Sequence, residues 1–180
     1  MKASRYIFSW LSAVVLILSA IVAAEARADS LDSFLPEIDP GELAPGADAF
    51  GPVRDDVKVA PVLKNGETVA WAFLTSDFVG TTGYSGKPIH VVAAIDADAV
   101  LTGVKLVKHS EPIVLIGIPN SKMVKLTESY AGLDLKREAA TGGEGHDLDI
   151  ISGATVTIMV IDDSLVRGGI KVARALGLGG

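Results

Sequence analysis

The sequence of 180 residues predicts an α+β domain: a twisted antiparallel sheet packed against a long C-terminal helix, with a shorter helix beside it. Three observations predict it. Asn65-Gly66, the favoured pair for a type I′ hairpin turn, separates two short apolar runs at 57–64 and 67–74. Further β-branched runs follow at 89–95 and 100–107 without helical spacers, which disfavours parallel βαβ winding. Between Ala154 and Leu176, the residues Ile158, Ile161, Leu165 and Val172 form one apolar stripe at helical spacing. No G-x-G-x-x-G follows a strand, so a Rossmann domain is excluded.

Residues 1–28 have the three parts of a secretory signal peptide. Lys2 and Arg5 come first, an apolar run extends from Tyr6 to Ala24, and Ala26-Arg27-Ala28 offers a cleavage site. The alternative is an uncleaved membrane anchor, since the run is nearly long enough to cross a bilayer as a helix. Either way, the remainder is expected on the periplasmic side, secreted or anchored to the inner membrane, with Lys2 and Arg5 left cytoplasmic. Residues 29–56 are a Pro/Gly-rich lead-in holding Pro36, Pro40, Pro45 and Pro52, with room for one short helix.

The main domain is expected over 57–180. Val57-Lys58-Val59 alternates, and Pro61 suggests an edge or the end of a strand. A loop with Gly80, Gly83 and Gly86 covers 75–88, and Asp96 to Asp98 is a turn. Val104 and Leu106 alternate with Lys105 and Lys108 as in a half-buried strand. Asn120 is expected to cap a short helix through Tyr130, with Val124 and Leu126 inward. Residues 140–149 read as a glycine-rich loop. In the last helix Gly168 and Gly169 each cost about 1 kcal/mol against alanine, which calls for a close helix–sheet contact or a bend. Gly177 supplies its stop.

Composition narrows the function. There is no cysteine, which removes disulfide scaffolds, thiol catalysis, Cys-held zinc and Cys-ligated iron–sulfur clusters. With 16 Lys+Arg against 22 Asp+Glu, the net charge of -6 argues against a nucleic-acid partner. His90, His109 and His146 have no metal-ligand spacing, so no metal site is expected. Neither a Ser/His/Asp set nor a carboxylate pair suggests independent catalysis.

The segment richest in chemistry is Asp149-Ile150-Ile151-Ser152-Gly153-Ala154-Thr155, entering the last helix. Ser152 reads as an N-cap, Gly153 allows close approach to the backbone, and Thr155 falls in the first turn. A phosphate there would meet free N–H groups and the positive end of the helix dipole. An ordinary capped helix is the other reading.

This D-x-x-[ST]-G-A-T pattern resembles the flavinylation motif of the FMN-binding domains in the sodium-translocating NADH:quinone oxidoreductase and the Rnf complex. Chance would produce it in about one chain of this length per thousand. The stretches Gly83-Tyr84-Ser85-Gly86-Lys87-Pro88-Ile89, His109-Ser110-Glu111-Pro112-Ile113 and Gly117-Ile118-Pro119 precede it in order. Together they resemble the N-terminal domain of NosR/NirI-type membrane flavoproteins of denitrification, over about residues 57–176. Members continue into transmembrane helices and an iron–sulfur region that this sequence lacks. The chain is therefore expected to be a fragment or a stand-alone version, and electron transfer across the membrane is not carried over to it.

The resemblance implies FMN joined through its phosphate to the Thr155 hydroxyl by a flavin transferase, with Ser152, Gly153 and Ala154 around it. Asp149 then serves transferase recognition or the helix cap. Tyr84 packs on the isoalloxazine or anchors its loop. His109 and Glu111 lie near the flavin or form a solvated strand face, and Lys87 meets a phosphate or nothing. The implied role is electron transfer in a denitrification-linked respiratory system, with a membrane redox partner or reductase. A regulatory or accessory role in denitrification gene expression or reductase maturation is the second reading, and an unmodified binding module the third.

Overall fold

The computed structural model describes residues 29–147 and 151–179; the expected signal or anchor segment 1–28, and Asp149, lie outside them. The lead-in is more ordered than its prolines suggest. It contains two helical turns, α1 (Leu31–Phe34) and α2 (Pro40–Leu43), joined by a 3-10 turn, and a short strand β1 (Ala49–Phe50). Pro40 sits in the first turn of α2, where its missing N–H costs nothing, and the Asp39 carboxylate accepts from Gly41 N. The expectation of a single short helix is corrected here: Pro36 and Pro40 sit in the first turns of the 3-10 turn and of α2 rather than break them.

Four longer strands follow: β2 (Val59–Lys64), β3 (Glu67–Leu74), β4 (His90–Ile95) and β5 (Leu101–Lys108). The sheet is antiparallel throughout, in the order β1-β2-β3-β4-β5. Asn65 and Gly66 both take positive φ, 53° and 83°, as the type I′ hairpin requires. Pro61 lies within β2. Its carbonyl accepts from Gly51 N on the outer side, the side its missing N–H would also face.

The remaining elements are helical: α3 (Pro112–Ile116), α4 (Asn120–Glu128), α5 (Leu135–Thr141) and the long α6 (Thr155–Leu176). Alternate strand residues face two separate cores. Val91, Ala93 and Ile95 pack with Phe73 against Ile158, Ile161 and Leu165 of α6. Val92 and Ala94 face the other way with Val62 and Ala72, under Leu31, Leu35, Ile38 and Leu43 of the lead-in. The sheet is thus a middle layer, and every residue of β4 is buried.

Gly168 and Gly169 mark a close contact, and α6 runs on without interruption. A Cβ on Gly169 would lie 2.6 Å from Leu135 Cδ1 of α5, whereas one on Gly168 would meet Phe73 at an ordinary 3.5 Å. Gly177, at φ 66°, ends the helix, with Leu178 N donating to Ala173 O. Two details of the reading are corrected. Asn120 is the first residue of α4 rather than its cap, the helix ends at Glu128, and Val124 faces solvent while Met123 and Leu126 point inward. The loop expected from 140 begins later, because α5, capped by Asp134, runs to Thr141 and ends at Gly142 with φ 74°.

Candidate functional site

A groove of about 450 Å³ opens where the 83–87 loop, α3 and the start of α6 meet. Tyr84, Pro112, Ile113 and Ile116 form one side; Gly153 to Thr157 form the other. Its volume falls in the range of small-ligand sites. Exposed apolar groups crowd its mouth: Tyr84 is 79% and Ile116 89% accessible. Such groups in a cluster mark a surface meant to be covered.

Gly153 turns the chain at φ 88°, and Ala154 then takes the N-cap position of α6. Alanine has no side-chain acceptor, and among the described residues no side chain caps this end. Ser152, expected as the cap, is exposed in the preceding turn: the left-handed step at Gly153 separates it from the helix start by two residues. As at any helix start, the first N–H groups of α6 lack intrahelical acceptors, and that arrangement suits an anion.

The two threonines of this turn differ. Thr155 is exposed on the groove wall, whereas Thr157 is 2% accessible and donates its hydroxyl to Glu111 Oε2 at 2.7 Å. Glu111 has no solvent exposure at all. It also accepts from Tyr84 N at 3.0 Å and Ser85 N at 3.1 Å. Burial by itself would raise the pKa of this carboxyl, but the donors from Thr157, Ser85 and Tyr84 outweigh it and hold the pKa below the ordinary value. Glu111 is therefore no solvated strand face; it sits beneath the groove.

The loop that carries Tyr84 is closed by Gly83 N donating to Lys87 O and Gly86 N to Gly83 O. Gly83 must be glycine, since a Cβ would overlap the Glu111 carboxylate. Lys87 is exposed and does not line the groove. His109 lies elsewhere as well: its ring lines a separate groove with Asn120 and Met123, and its Nδ1 accepts from Glu111 N at 3.3 Å. Of the residues singled out in the sequence, the structure brings together Tyr84, Gly153, Ala154 and Thr155, with Glu111 below them.

A polar cluster behind α6 escaped the sequence reading. His146 Nε2 lies 2.9 Å from Asp162 Oδ1, and its Nδ1 3.2 Å from Glu138 Oε2. Tyr130 OH donates to the same Asp162 oxygen. Burial opposes charge on His146, yet the facing Glu138 and Asp162 raise its pKa overall. No motif joins these residues, which are separated along the chain. A groove of about 510 Å³ beside them is larger than the one at Thr155; two of its charged groups are engaged, Arg167 with Asp163 and Lys171 with Phe78 O. Among the described residues no His/Asp/Glu group is arranged to hold a metal, and no helix is long and apolar enough to cross a membrane.

Residues 83–167 match the FMN-binding domain family, and this span contains the whole groove: the chain carries an FMN-binding domain. That domain is of the NosR/NirI type. The chain is 32% identical over 178 residues to "Regulatory protein NosR" of Pseudomonas aeruginosa, covering 97% of this chain and 24% of that protein. It is 33% identical over 173 residues to "Protein NirI" of Paracoccus denitrificans, covering 93% of this chain and 24% of NirI. "Regulatory protein NosR" of Stutzerimonas stutzeri is 30% identical over 168 residues, covering 91% of this chain and 23% of that protein. The chain spans about a quarter of the length of these curated relatives.

Proposed function

We propose that this protein carries FMN covalently, as a phosphoester on Thr155, and serves electron transfer on the periplasmic side of a membrane-associated, denitrification-linked system. The supporting observation is the contrast between two threonines: Thr155 is exposed on the groove wall, whereas Thr157 is buried and its hydroxyl committed to Glu111. The groove fits the group. Its apolar walls at Tyr84, Ile113 and Ile116 suit an isoalloxazine ring, and the start of α6 suits a phosphate.

FMN supplies the redox chemistry, taking up and releasing one or two electrons. The chain's own residues bind and orient it. Thr155 would hold it: in a flavin transferase, Oγ1 would bond to phosphorus as the phosphoanhydride bond of a flavin dinucleotide donor breaks, with the nucleoside monophosphate leaving and the hydroxyl proton released to solvent. The N–H groups of the first turn of α6 would face the phosphate charge. Gly153, without a Cβ, keeps the approach to Thr155 open. A membrane reductase or redox partner would exchange electrons at the groove mouth.

A regulatory reading rests on a specific observation too, since two relatives bear the name "Regulatory protein NosR". Reduction and reoxidation with a partner reductase separates the two. A carrier turns over with the partner; a sensor domain does not. Export from a host that has the flavin transferase, followed by denaturation and fluorescence, tests the covalent bond itself. Flavin removed by denaturation would contradict attachment.

A further inference from the structure

We infer that Glu111 is the positioning residue of this groove, acting through Tyr84: its carboxylate locks the 83–87 loop to α6 and so fixes the face that Tyr84 offers to an isoalloxazine ring. The inference rests on the FMN reading for the ring and on geometry alone for the lock. All three parts of the groove converge on this residue. Its backbone starts α3, with Val114 N and Leu115 N donating to Glu111 O, and so sets the wall that holds Ile113 and Ile116. Its side chain accepts from Tyr84 N and Ser85 N on the loop, and from Thr157 Oγ1 on α6.

Only a carboxylate suits the position. Three donors point at two oxygens, and an amide has one acceptor oxygen and would set an N–H against one of the donors. Gly83 completes the fit by leaving the space that the carboxylate occupies. Tyr84 is 79% accessible, and the other bonds of its loop run within 83–87, so the Glu111 carboxylate is what ties this loop to α6. An exposed loop opens locally at low cost unless its backbone is tied down. Hydrogen bonds to a buried charge are among the stronger ties available.

Two measurements on the full chain test this. In Thr155→Val protein, which cannot hold the flavin on Thr155, adding Glu111→Gln should raise amide exchange at Tyr84 and Ser85 by about tenfold or more, with β4 unchanged. Thr157→Val should do so more weakly, and Thr157→Ser should behave as the parent. Thr157→Val also keeps the test available should Glu111→Gln fold poorly. In flavinylated protein, Glu111→Gln should relieve flavin fluorescence quenching to the level of Tyr84→Ala, and the double variant should go no further. Unchanged exchange at Tyr84 and Ser85 would overturn the lock. Additive fluorescence changes would overturn the action through Tyr84. Wild-type protein without flavin would instead overturn the FMN reading and the role toward the ring, while exchange would still decide whether Glu111 holds the loop.

Discussion

Thr155 and Thr157 lie two residues apart on one helix yet face opposite environments, since successive helical positions are rotated by about 100°. Thr155→Val is expected to abolish covalent flavin while sparing the fold. Thr157→Val is expected to retain it, with a looser groove; in-gel flavin fluorescence after denaturation reads both. His146 supports a pH prediction. Its pKa is raised in the folded state by Glu138 and Asp162, against the effect of burial, with Tyr130 completing the cluster. The stabilisation is therefore fully present below the unfolded imidazole pKa and is lost as pH rises through the raised folded value. Thermal melts of wild type and His146→Gln should differ most at mildly acidic pH and converge toward alkaline pH. A gap that widens with pH would contradict this assignment. The sequence made Thr155 legible through its motif. It named Glu111 through the resemblance but not what Glu111 joins, because the amides that it accepts from are 26 and 27 residues away along the chain.

At the scale of elements, hydrophobic period and turn chemistry carried the reading, and loop geometry limited it. The hairpin at Asn65-Gly66 and the stripe on α6 were legible because local residues dictate them. Ser152 was not, because an N-cap depends on where the helix begins, and Gly153 at positive φ moves that point to Ala154. Met123 and Leu126 share the inner face of α4 at a spacing of three, which turns Val124 outward. The paired glycines of α6 give a direct check on the packing. Gly168→Ala meets only ordinary contacts and should stabilise by about 0.5–1 kcal/mol through helix propensity. Gly169→Ala drives a methyl into Leu135, and overpacking of about 1–3 kcal/mol should exceed that gain. Urea denaturation of the two variants should therefore shift in opposite directions; equal shifts would mean that α5 and α6 pack less closely than described.

Across the whole molecule, the lead-in is structural. It closes the second face of the sheet with Leu31, Leu35, Ile38 and Leu43, and Leu43 also abuts β5, where Thr102 donates to Leu43 O. Leu43→Ala should cost about 2–5 kcal/mol by the loss of a fully buried side chain, measured by chemical denaturation. With both faces covered, the sheet presents α6 and the 83–87 loop as fixed walls, and the groove opens between them. That arrangement leaves Thr155 exposed at the start of α6 and nearby apolar surface open to a ring. The central claim is attachment at this hydroxyl, and intact mass reads it most directly. Protein exported from a host with the flavin transferase should carry one FMN on the peptide containing Thr155, and none in Thr155→Val. An unmodified wild-type mass, or FMN retained in Thr155→Val, would contradict it.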